Sequence, residues 1–322
     1  MDHRLFFRLA TVCFLAAAIG RCFAADKLYS GKPLRVLLIT GGCCHNYKFQ
    51  SQAMTNGISK QADAEWTVVH EGGNGTRGQI DLYNNPDWAK PYDVIVHNEC
   101  FADTDDAEYV RKITSAHKAG KPAVVIHCAM HTYRAVKFDD WREFLGVTSR
   151  MHEHQSKYPV KVVSRDHPVM KGFPENWVTP MDELYIVEKL WPGAKPLASS
   201  VSERTGKEQP VVWVNDFHGT RVFGTTYGHS DETFRDTVFI DLLARGVVWA
   251  AGKTEQSKSN RSRFRVVSRK GSHTYENDQS SPGCNSVHAI PGRIGSARVQ
   301  LDGRNEGRET RVQIDGSAGL RA

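Results

Sequence analysis

Three hundred and twenty-two residues, 40% hydrophobic and 24% charged, suffice for one large domain or two with a true apolar core. The net charge of +6 sits at the ends: residues 1–24 hold three Arg and one Asp, residues 254–322 hold twelve Lys/Arg against seven Asp/Glu, and about −1 is left between them. A middle without basic excess has no electrostatic signature for nucleic acid, and that partner is excluded.

Residues 1–24 have the form of a secretory signal. Arg4 and Arg8 make the positive end, residues 9–19 the apolar run, and Cys22-Phe23-Ala24 offers small residues before a cut. Eleven apolar residues fall short of the roughly 20 needed to span a bilayer. The mature chain is therefore expected in the periplasm or outside the cell, without stable membrane insertion. Arg21 directly before Cys22 argues against a lipoprotein cut.

Residues 34–40 (Leu-Arg-Val-Leu-Leu-Ile-Thr) read as a first buried strand closed by Gly41-Gly42, followed by the loop Cys43-Cys44-His45-Asn46 and a helix over 49–61. Residues 65–70 form the second strand. Residues 71–90, with Gly72, Gly73, Gly75, Gly78 and Asn84-Asn85-Pro86, form a long loop. The third strand spans 92–98 and ends His97-Asn98-Glu99-Cys100. An amphipathic helix over 104–119 follows, with Asp105, Asp106 and Glu108 at the end where the helix dipole favours negative charge. Residues 123–126 (Ala-Val-Val-Ile) form a strand buried on both faces. It stops at His127-Cys128 and is expected to turn into a helix carrying His131 and Arg134 at one-turn spacing.

Beyond Arg134 the pattern changes. A short helix is expected over 141–145, and residues 150–158 are polar and His-rich. A strand spans 160–163, a turn-rich connection 167–173, and short strands 183–187, 196–200 and 211–215. Phe217-His218-Gly219 turns the last of these into 220–226 as a hairpin. Tyr227-Gly228-His229-Ser230 is a second polar landing after a strand, and a closing helix covers 237–251. From 254 periodicity disappears, and residues 254–322 read as a disordered tail or a stretch past the true terminus. The domain proper is 33–253.

Alternating strands and helices argue for an α/β fold, a mostly parallel sheet with helices on both faces. Right-handed crossovers then put the strand ends on one side, where open α/β sheets bind ligands. His45, His97, Glu99, His127 and Cys128 are expected to meet there. Eleven of the fourteen histidines fall in residues 25–253, and imidazole serves proton transfer, anion binding or metal ligation. Cys128 has the place of a nucleophile at a strand-to-helix elbow, although no Gly flanks it, and a small buried structural cysteine is the plainer reading. His152-Glu153-His154 puts two imidazoles on one side of an extended segment. With His127, His131 or Glu99 they could hold a zinc-type ion; otherwise no cofactor is expected. Asp182 and Glu183 are candidate acid/base groups, Tyr185 shares the strand face of Glu183, and Arg134 and Arg150 suit a substrate hydroxyl or carboxylate. Cys43, Cys44, Cys100 and Cys128 follow strands. A disulfide such as Cys43 or Cys44 with Cys100 is allowed in an exported protein, and spacing does not decide it.

Together Val-Leu-Leu-Ile-Thr-Gly-Gly, Tyr-Asp-Val-Ile-Val-His, Val-Val-Ile-His-Cys-Ala-Met-His, Asp-Glu-Leu-Tyr and Gly-Thr-Thr-Tyr-Gly-His-Ser make the chain resemble the ThuA-like (trehalose utilisation) family of the class I glutamine amidotransferase-like superfamily. The resemblance covers residues 33–253. It implies a flavodoxin-like three-layer sandwich and a role in carbohydrate metabolism. The amidotransferase elbow Gly-x-Cys-x-Gly is absent from Ile126-His127-Cys128-Ala129-Met130-His131, so glutaminase activity is not expected. The expectation is an exported enzyme handling a sugar or keto-sugar. Its catalytic residues are His127, His131, Glu183, His229 and Cys128, and His45, His97, Glu99, Arg134 and Tyr185 bind the substrate. A non-catalytic sugar-binding module and a metal-dependent hydrolase are the alternatives. The partner is a small carbohydrate, and a homo-oligomer is left open.

Overall fold

A computed structural model describes residues 27–254. The signal expected at 1–24 and nearly all of the tail expected from 254 lie outside the described residues. In chain order the elements are β1 (Tyr29–Gly42), α1 (Tyr47–Gln61), β2 (Ala62–His70), β3 (Val94–Cys100), α2 (Ala107–Lys118), β4 (Ala123–Ile126), α3 (Asp140–Leu145), β5 (Val147–Ser156), β6 (Lys161–Val162), β7 (Asp182–Leu190), β8 (Ala194–Val201), β9 (Glu208–Phe217), β10 (Thr220–Thr225), α4 (Asp231–Arg235) and α5 (Thr237–Ala250).

Eight strands form one sheet in the order β2-β1-β3-β4-β10-β9-β8-β6. The pairs β2–β1, β1–β3, β3–β4 and β4–β10 are parallel, and β10–β9, β9–β8 and β8–β6 are antiparallel. The parallel part has the flavodoxin-like order. Along β1, Val36 and Leu38 pack to one side with Met54 and Ile58 of α1 and Leu243 and Val247 of α5. Leu37 and Ile39 pack to the other with Val110 and Ile113 of α2 and Phe144 of α3. Period-two alternation with both faces covered yields three layers, and each fully buried Val, Ile or Leu contributes about 1.5–3 kcal/mol. Helix starts are fixed by side chains: Asp106 accepts from the amides of Glu108 and Tyr109, and Asp236 from those of Val238 and Phe239. The hairpin expected through His218-Gly219 forms, with both residues at positive φ as a primed turn requires.

Three departures reshape the strand ends. β1 continues through Gly41 and Gly42, and β3 runs on to Cys100, pairing Gly42 with Cys100. Gly42 has φ +92° and a Cβ there would lie 2.2 Å from the Cys100 carbonyl oxygen, so only glycine lets the two strands stay paired to their tips. Residues 127–130 form a short 3-10 turn, and no helix follows until Asp140. The polar, His-rich segment, read only as extended, belongs to β5, which pairs antiparallel with β7 as a separate two-stranded ribbon. Among the described residues no helix is long and apolar enough to cross a membrane.

Candidate functional site

The C-terminal tips of β1, β3, β4 and β10 end beside one another, and the β5–β7 ribbon meets them there. Between them lies a pocket of about 270 Å³ lined by residues that include His45, Cys128, His131, His152, Glu183 and His229. Hollows of about 700 and 570 Å³ lie elsewhere on the surface and collect no histidine.

His127 sits at the tip of β4, 1% exposed and at φ +46°, a left-handed conformation unusual for a residue with a side chain. The strain expected of an elbow is thus carried by His127, one position before Cys128. Its Nδ1 lies 2.7 Å from the Thr226 carbonyl oxygen, which must accept, so the ring proton is on Nδ1 and Nε2 presents its lone pair towards Tyr185 and Glu183. Burial, with the nearby His45, holds its pKa well below the usual imidazole value.

The ribbon supplies the carboxylate. Register sets His152 opposite Tyr185 and Gln155 opposite Glu183. Glu183 Oε2 lies 3.3 Å from His229 Nδ1, 3.5 Å from His152 Nδ1 and 3.6 Å from His127 Nε2. One carboxylate oxygen therefore faces three imidazoles. Burial lowers the pKa of His229, but Glu183, with Asp182 behind it, outweighs that and the net value is raised. Tyr185 stacks on His131 at 4.0 Å between ring centres and brings its hydroxyl 3.3 Å from His127 Nε2. His131 also contacts the Ser149 hydroxyl, and burial takes its pKa to about 3. His45 lies 4.9 Å, ring centre to ring centre, from both His127 and His229, and burial brings its pKa to about 4.

A buried scaffold holds the His229 loop. The Asp182 carboxylate accepts from the amides of Gly228 and His229 and from the Thr233 hydroxyl. Burial raises its pKa to about 6 against those hydrogen bonds. On the other side the Gln50 amide donates to the His229 carbonyl and accepts from Asn98.

The structure therefore brings His45, His131, Glu183, Tyr185, His229 and Cys128 to one pocket, with Arg134 on its exposed rim, and sets His127 just behind them against Glu183 and Tyr185. It puts His97 and Glu99 elsewhere. Because β3 ends two residues later than expected, His97 lies in the middle of the strand, fully buried against Trp141 and Phe144. Its Nδ1 is bonded to Glu99 and its Nε2 contacts His117, so this pair packs beneath the site without lining it. His154 parts from His152: irregular register between His152 and Gln155 breaks the alternation, and His154 pairs with Glu203 at 3.1 Å with its side chain 70% exposed. The expected His152–His154 metal pair is not assembled. Cys128 is bonded to Cys100, and Cys43 to Cys44, with Cys43 and Cys100 sulfurs 3.7 Å apart. The pairing considered in the sequence, Cys43 or Cys44 with Cys100, does not form, and a disulfide leaves Cys128 no thiolate to attack with. Gln155, whose amide lies 2.7 Å from His229 Nε2, carries no sequence signal; only the β5–β7 register reveals it.

Comparison with known proteins bears on the family and the fold. Residues 35–250 match the ThuA family model, described as trehalose utilisation. A ThuA-like protein of Parabacteroides merdae is 25% identical, superposes with a TM-score of 0.54, and the match covers 70% of this chain and 92% of that one. A ThuA-like protein of Bacteroides uniformis, 18% identical over 69% of this chain and 93% of its own, shares the fold with a TM-score of 0.53. Over 109 residues, 30% of its length, the chain is 29% identical to human E3 ubiquitin-protein ligase DTX1, of which the match spans only 17%. A family match over two thirds of the chain, on the fold whose strand tips carry the pocket, is decisive: the protein belongs to the ThuA, trehalose utilisation family.

Proposed function

We propose that the protein is an exported enzyme that moves protons on a sugar or keto-sugar of the trehalose type. The observation that carries this reading is the Glu183 carboxylate, buried at the back of a small pocket with His127, His152 and His229 each within 3.6 Å of one oxygen. A carboxylate so placed takes a proton from a carbon or hydroxyl of the substrate, and the imidazoles beside it return one. His229 is the group suited to donate, since Glu183 favours its charged form. His127 and His131 are held neutral by burial and suit hydrogen bonding or proton acceptance. The pocket is at the small end of ligand sites and fits one sugar ring, with Arg134 at the rim for the remainder. Glutaminase chemistry has no support, because no free thiol stands at the elbow.

Export is supported by the form of residues 1–24 and by the pairing of all four described cysteines, which suits an oxidising compartment. The test is turnover of a panel holding trehalose, its keto-oxidised forms and simple hexoses. Wild type is expected to convert at least one member and His229→Gln to lose at least about tenfold in kcat. Binding of a panel member without conversion of any would favour a non-catalytic sugar-binding module instead.

A further inference from the structure

We propose that His45, His127 and His229 form a site for one divalent transition-metal ion of zinc type, with Glu183 as a fourth ligand or as the base beside it. The inference concerns the same pocket as the proposed function and deepens it, but the ligand set is not one the sequence suggested. One nitrogen from each of the three rings lies within 4.8 Å of the others. A tetrahedral zinc site needs nitrogens about 3.3 Å apart, given bonds of about 2.0–2.1 Å, so small side-chain rotations close the set.

Three features of the rings fit ligation better than a purely structural role. Both ring nitrogens of His45 are shut off from solvent without a hydrogen-bond partner. A buried polar atom left unpaired is destabilising, and ligation would satisfy it. His127 donates its Nδ1 proton to the Thr226 carbonyl, the outer-shell bond that fixes a ligating histidine and frees Nε2. His229 Nδ1 is likewise buried without a hydrogen bond, 3.3 Å from Glu183 Oε2. For that nitrogen to give its lone pair the ring proton moves to Nε2, and Gln155 accepts it once its amide is turned so that the oxygen faces the ring. Three neutral imidazoles and a carboxylate are a donor set for zinc, cobalt or nickel rather than for calcium or magnesium. The neighbouring cysteines are locked in disulfides and add no thiolate. Bound there, the ion would polarise a carbonyl or hydroxyl of the sugar, and Glu183 would both take and return the proton. His229 is then a neutral ligand in the loaded site, in place of the proton donor it makes in the metal-free one.

The test uses the purified oxidised protein, stripped with a chelator and titrated with Co²⁺ followed by its visible spectrum, and separately with Zn²⁺ by calorimetry. The expected result is one equivalent bound, with the d–d bands of four- or five-coordinate cobalt and no thiolate charge-transfer band. His45→Ala and the milder His45→Gln are expected to weaken binding by about 100-fold or more, while His154→Ala, on an exposed ring, retains it. Absence of stoichiometric binding, a thiolate band, or His45 variants that bind as wild type would overturn the proposal. Sugar turnover by stripped protein that binds no metal would overturn it too and leave the proposed function standing. One equivalent bound with no turnover of any sugar would do the reverse.

Discussion

The Glu183 carboxylate and the His229 imidazole face each other at 3.3 Å across the pocket. Two elements far apart in sequence, the start of β7 and the loop after β10, meet there because Asp182 takes hold of the His229 backbone. The carboxylate raises the pKa of His229 against the lowering effect of burial. With Glu183→Gln the charge goes and the burial stays. The His229 pKa is then expected to fall below the ordinary imidazole value, as followed by NMR titration of its ring proton. An unchanged titration would separate the two groups.

His127 occupies a left-handed backbone position. Asn tolerates that region far better than a β-branched residue does. Urea unfolding should therefore find His127→Val less stable than His127→Asn by about 1–3 kcal/mol. Equal stabilities would mean that the backbone there is relaxed.

Acid should weaken the fold through the buried imidazoles. His45 and His131 have folded pKa values of about 4 and about 3, below the 6.5 of an ordinary histidine. Between those values the unfolded chain binds more protons, so stability rises with pH across the window and is lost as pH falls from about 6.5 towards 4. Asp182 acts oppositely: its folded pKa of about 6 exceeds the ordinary 3.8, so its contribution is full below about 4 and lost as pH rises through 6. Stability measured by denaturant from pH 4 to 7 should climb in the wild type, more shallowly in His131→Gln and more steeply in Asp182→Asn. A flat wild-type profile would contradict the neutral, buried state of these histidines.

The Cys100–Cys128 disulfide closes a loop of 28 residues from the β3 tip to the β4 tip. Loop-closure entropy gives it about 3–4 kcal/mol. Peptide mapping without reductant should recover Cys43–Cys44 and Cys100–Cys128, and Cys128→Ser should lower unfolding stability by about that amount. Recovery of Cys43–Cys100 instead would redraw the pocket wall.

The sequence made the sheet legible because β4 is four apolar residues between Pro122 and His127, and its bounds are those read from the pattern. It hid β5, since Arg150, His152, His154 and Gln155 have no apolar alternation: that ribbon packs polar faces on the site and gains its order from β7. The meeting of His45 and His127 followed from strand-end logic, and His229 was legible only as a second polar landing after a strand. His97 followed the same logic to a different place, because β3 runs two residues further, to Cys100, and leaves it in the core and not at the rim. Glu183 was visible as a carboxylate but not as the hub of three imidazoles, which depends on bulged ribbon register that no local pattern encodes.

The central claim is that the Glu183–imidazole cluster moves protons on a sugar. It is tested most directly by incubating the protein with a keto-sugar in deuterated water and following exchange at the carbon beside the carbonyl by NMR. Deuterium should enter with wild type and at least about 100-fold more slowly with Glu183→Gln. No incorporation by wild type across the panel, or equal rates for the two proteins, would contradict the account.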